Sequence, residues 1–263
     1  MAAVLVTAVL IFAALLYLRG WFRLRREIPF WRAASFLAGL FLVWLAAASP
    51  LAMMDEHLLT AHMVQHLLLL TIGPAFILLG LPAFVFSVPG LSVNPVICWA
   101  AGAVVLTVWH VPAVFAAAYR SMPLHSFQQA TFFLAGLLFW QPVIPARPGE
   151  SHHDWPLVLY LFMATLPCDA LSAFLAFCGR VVYPEYLNMP PHFGLSALQD
   201  QECAGALMWT VVTIAYLIPA VLVTMGLLTD SPASGSLRSA LIETVAPGIE
   251  RQGEAAPHAA SGE

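Results

Sequence analysis

Apolar residues in this chain do not alternate with polar ones. They run in seven long blocks, at roughly 2–18, 33–50, 62–82, 94–118, 126–145, 156–178 and 203–228. The blocks are near the length of about 20 residues that a helix needs to cross hydrocarbon. The expectation is an all-α, polytopic membrane protein with seven transmembrane helices over residues 1–229. Proline- and glycine-rich joints separate several blocks: SVPGLSVNP at 87–95, QPVIPARPGE at 141–150 and YPEYLNMPPHFG at 183–194. Pro74 and Pro112 fall inside blocks and should kink them, which membrane helices tolerate. Beyond Asp230 the pattern stops. Residues 230–263 are rich in Ser, Gly, Ala and Pro, and a disordered tail is expected there.

Composition agrees with that pattern. The 263 residues are 61% hydrophobic and only 9% charged, against roughly 25% charged in a soluble domain. The first block carries its arginines after the apolar run, the reverse of a cleaved signal peptide, so it is read as a helix that stays. The net charge of -4 says little about partners beyond the bilayer, and nothing points to nucleic acid. All ten basic residues are arginines. With seven spans, eight of them (19, 23, 25, 26, 32, 147, 238 and 251) fall on one side, and only Arg120 and Arg180 on the other. Positive charge stays on the cytoplasmic side. The N-terminus therefore faces outward and the tail lies in the cytoplasm.

On this map six of the nine histidines gather at the outer face: His57, His62, His66, His110, His125 and His192. Imidazole at a membrane boundary is costly and defaults to a functional reading. His62 and His66 stand at i and i+4, so both rings leave one helix face and can share a metal ion. His57 would point roughly 140° away on a continuous helix, and it joins only if the helix starts after it. His110 lies deeper and needs an interior partner. His125 and Gln129 repeat the i, i+4 spacing with an amide in second place, which gives Gln129 a supporting role beside a ligand. Met53 and Met54 are soft donors in an outer loop, while Met63 reads as packing. Imidazoles with thioethers on the outer side favour copper over zinc, iron or nickel.

Other constellations are missing or open. No Ser-His-Asp order, P-loop or glycine fingerprint appears, so a non-enzymatic role is expected. The absence of lysine rules out a retinal Schiff base. Cys178 and Cys203 flank the last outer loop, where a disulfide is permitted, and sequence leaves their pairing open. Asp169 is an intramembrane carboxylate, either a proton or ion site or a hydrogen-bonded structural group.

TAHMVQHLLLLTIGPAFILLGLP at 60–82, WHVPAVFAAAY at 109–119, LHSFQQATFFLAGLLFWQPVI at 124–144 and DQECAGALMW at 200–209 together resemble the CtaG family of caa-type cytochrome c oxidase assembly factors, in that family's order. The resemblance covers about 50 to 228. It implies a multi-pass protein of the bacterial cytoplasmic membrane that helps form the copper B centre of a haem-copper oxidase. Its partners would be the oxidase catalytic subunit and a periplasmic copper donor. His62, His66, His110 and His125 match the family's histidines. Gln128 and Gln129 stand where the family often has Glu-His. Asp200 and Gln201 match its DQ pair, expected to orient imidazoles or to cap the last helix. Two alternatives stay open: a membrane haem-binding oxidoreductase using His66 and His110, and a metal-free scaffold for oxidase subunit insertion. Whether the site is completed by one chain or by a homodimer is also open.

Overall fold

The computed structural model describes residues 2–82, 93–144, 155–187, 189 and 194–229. His152, His153, His192, His258 and the tail expected to be disordered lie outside the described residues. The described residues are helical, without strands. In chain order they form α1 (Ala2–Leu24), α2 (Phe30–Ala47), α3 (Leu59–Gly80), α4 (Pro95–Trp109), α5 (Pro112–Tyr119), α6 (Met122–Trp140), α7 (Trp155–Phe177) and α8 (Ala197–Thr229).

Five of these, α1, α2, α3, α7 and α8, are long and apolar enough to cross a membrane. A sixth crossing results if α4 and α5, bent 76° from each other, count as one broken span. The block predicted as a single fourth span is therefore two helices. Pro112 has no N–H to continue α4, and residues before a proline leave the α region, so the break falls at His110 and Val111. α6 forms where the fifth block was read, but polar residues in its first turns, His125, Ser126, Gln128 and Gln129, make it less apolar than those five.

α3 is the axis of the bundle. Two thirds of its span window is buried inside the protein, whereas α1 buries none of its own and presents side chains such as Val4 and Phe12 outward. α2, α6 and α8 pack around α3. Close approach depends on small residues: a Cβ placed on Gly136 of α6 would collide with the Leu70 carbonyl and with Pro74 Cγ, and one on Gly80 would stand 2.5 Å from Phe36 N of α2. Inside α3, residues Leu68–Ile72 form a π-turn just before Pro74. The wider turn absorbs the clash between the proline ring and the preceding helical turn, so α3 continues past Pro74.

Candidate metal centre

α3 begins at Leu59, and its N-cap residue Leu58 offers no capping side chain. The cap comes from the far end of the chain. Asp200 on α8 accepts from the Leu59 N–H at 2.6 Å, from the Thr60 N–H at 3.2 Å and from the Thr60 hydroxyl at 2.6 Å. A carboxylate is well placed at this positive helix end. Asp200 thus caps the third block's helix rather than the last one, and its hydrogen bonds go to backbone and hydroxyl, not to an imidazole.

From this fixed start, His62 and His66 project inward, only 5% and 3% exposed. Their ring centroids are 4.2 Å apart. His125, near the start of α6, lies 6.1 Å from His62, and His110 lies 5.5 Å from His66. Four imidazoles from three parts of the chain thus form one chain of neighbours: His125, His62, His66, His110. Asp55 joins at the outer end. Its Oδ2 is 3.0 Å from His125 Nε2, at an angle that makes no hydrogen bond. One ligand atom each from Asp55, His62 and His125 lies within 4.8 Å of the other two.

Donor chemistry suits a metal cation. His62 Nε2 and both ring nitrogens of His66 are buried without hydrogen-bond partners. Buried polar groups are ordinarily paired, and each orphan costs about 1–3 kcal/mol. A cation shared by such nitrogens turns that cost into coordination. His110 is different: the break after α4 frees the Leu106 carbonyl, because the backbone N–H of His110 turns to Val108 O instead. Ring Nδ1–H then donates to Leu106 O at 2.7 Å, and Nε2 faces Met63 Sδ at 3.4 Å.

Backbone of the site is held from the loop between α7 and α8. Tyr183 donates its hydroxyl to His110 O at 3.0 Å, and Tyr186 donates to Asp55 O at 2.7 Å. Burial, with Asp55 adding to it, pushes the Tyr186 phenol well above its ordinary range, so it stays a donor. Gln201 fixes that loop in turn. Its Oε1 accepts from Val182 N–H at 2.7 Å, and its Nε2 donates to Leu175 O at 3.1 Å and Arg180 O at 3.0 Å. Gln201 therefore acts on His110 through a loop and a tyrosine, not by touching a ring.

Several expectations change. His57 sits exposed in the turn before α3 and is not part of the three-residue group. Gln129 is only half-buried, whereas Gln128 is fully buried, with both side-chain amide atoms unpaired. The buried stripe of α6 runs through Gln128, Phe132, Ala135 and Phe139, which leaves Gln129 at its edge. Gln65 is likewise fully buried and unpaired. Met63, read as packing, has 0% exposure and touches His110 through sulfur. Asp55 lies among the acidic groups near the histidines in the sequence, which assigns it no ligand role; the tight 3₁₀ turn at Pro50–Met53 precedes it. Its only signal was an acidic residue seven positions before His62. Cys178 and Cys203 are both free thiols. Asp169 Oδ1 is buried without a hydrogen-bond partner.

A family model described as cytochrome c oxidase caa3 assembly factor (Caa3_CtaG) matches residues 15–230. Neither the curated proteins nor the solved structures contain a match.

Proposed function

The chain belongs to the cytochrome c oxidase caa3 assembly factor family, and from that premise we propose that it carries copper to the forming oxidase. The ion arrives on the outer face and binds first between Asp55, His62 and His125, with His66 next in line. The observation carrying this reading is the convergence of three ligand atoms within 4.8 Å beside orphaned imidazole nitrogens. Imidazole and carboxylate are exchangeable ligands, which suits delivery to the copper B centre of the catalytic subunit.

The proposed topology has seven spans, with the N-terminus outside. α6 is the fifth crossing, because its His125 and Gln128 turn toward the site rather than lipid. The loops around 48–58, 119–121 and 178–187 belong at one membrane face. Tyr119 donates to Glu56 O at 2.9 Å, Tyr186 reaches Asp55 O, and Arg120 approaches Glu185 at 3.5 Å. The arginine asymmetry makes that face the periplasmic one.

A haem reading fits the geometry less well. Phe132 stacks 3.9 Å from His66, and Met63 covers His110 Nε2, so both rings are hemmed in where a macrocycle would have to sit. Copper per chain in purified protein, compared with His62→Ala/His66→Ala, is the test. Loss of the bound copper supports delivery. The same ratio in both proteins contradicts it and leaves the metal-free scaffold.

A further inference from the structure

The contact between His110 and Met63 is chemically odd. The ring must place its proton on Nδ1, because Nδ1 faces a carbonyl oxygen at 2.7 Å and only an N–H makes that contact favourable. Nε2 then carries a lone pair. Thioether sulfur has no proton to offer, so two acceptors face each other across 3.4 Å, both buried. An imidazolium would resolve the clash, but it would put an unpaired charge in an apolar interior. A cation resolves it at no such cost. An ion about 2.0 Å from nitrogen and about 2.3 Å from sulfur, ordinary distances for first-row metals, spans a 3.4 Å gap at an angle near 105°. His66 supplies a third donor. It lies three residues after Met63 on α3, its ring is 5.5 Å from that of His110, and both of its nitrogens are unpaired.

We propose that Met63 Sδ, His110 Nε2 and a ring nitrogen of His66 form a second, deeper site selective for copper(I), fed from the outer Asp55–His62–His125 position by ligand exchange through His66. This rests on the copper reading above and deepens it. The two positions differ in softness. Carboxylate and imidazoles suit several divalent metals, whereas a thioether selects copper(I). The ion moves inward as copper(I), so no redox step is involved. Pro112 is the remote cause: it breaks the helix, frees Leu106 O and so locks the ring with Nε2 toward sulfur.

The test uses purified full-length protein in detergent, loaded anaerobically with copper(I). Bound copper is counted, and its neighbours are read by X-ray absorption at the copper edge. Wild type should hold two ions per chain, with a sulfur neighbour in the average. Met63→Leu, which conserves volume, should lose one ion and the sulfur signal and keep the other ion. Asp55→Asn/His125→Ala should do the converse and retain sulfur. If Met63→Leu keeps both the ratio and the spectrum, or if wild-type copper shows no thioether-type sulfur, the inner site is wrong while the outer one stands. A wild type that binds no copper overturns the delivery role and the inner site together.

Discussion

Asp200 on α8 and Thr60 on α3 lie 140 positions apart, and their side chains meet at 2.6 Å. Through this contact the last helix holds the first turn of the helix that presents His62 and His66. The DQ pair thus works on the site from behind, Asp200 through a helix end and Gln201 through a loop.

Removing that cap should be costly. Asp200→Ala leaves the Leu59 and Thr60 N–H groups without an acceptor, at about 2 kcal/mol by analogy with lost caps and buried orphans. The thermal midpoint in detergent should fall by several degrees, with Asp200→Asn falling less. An unchanged midpoint for Asp200→Ala argues against the cap.

Tyr186→Phe removes one hydrogen bond, to the Asp55 carbonyl, and no ligand. A bond of this kind is worth about 1 kcal/mol. Copper affinity at the outer position should drop about fivefold with little change in copper per chain, as read by a competition titration with a chelator.

Glycine positions separate tight from loose helix contacts. Gly136→Ala drives a methyl into the Leu70 carbonyl and should destabilise by about 1–3 kcal/mol, as overpacking does. Gly102→Ala meets only Phe139 Cδ2 at 3.6 Å, an ordinary contact, and should be tolerated. Thermal unfolding of the two variants side by side checks the α3–α6 packing.

Helical architecture and most of the site could be read from residues alone because both rest on local signals. Apolar blocks near membrane length mark helices, and the i, i+4 spacing of His62 and His66 puts two rings on one face. What escaped reading depends on chain reversal or on phase. Asp55 reaches the site only through a 3₁₀ turn, and Gln128 is buried rather than Gln129 because it lies on the buried stripe of α6 with Phe132, Ala135 and Phe139. Asp200 caps a helix 140 residues away, which no local pattern encodes. The break at His110 was foreseen as a kink at Pro112, but its 76° size and its effect on the ring follow from tertiary packing.

The central claim is that imidazoles from separate helices hold one copper ion. Pulsed electron paramagnetic resonance of copper(II)-loaded protein, prepared with unlabelled and with ¹⁵N-labelled histidine, tests it most directly. The account predicts coupling from at least two imidazoles that responds to the label and disappears in His62→Ala/His125→Ala. Copper that shows no imidazole coupling, or coupling left intact by that double substitution, would contradict it.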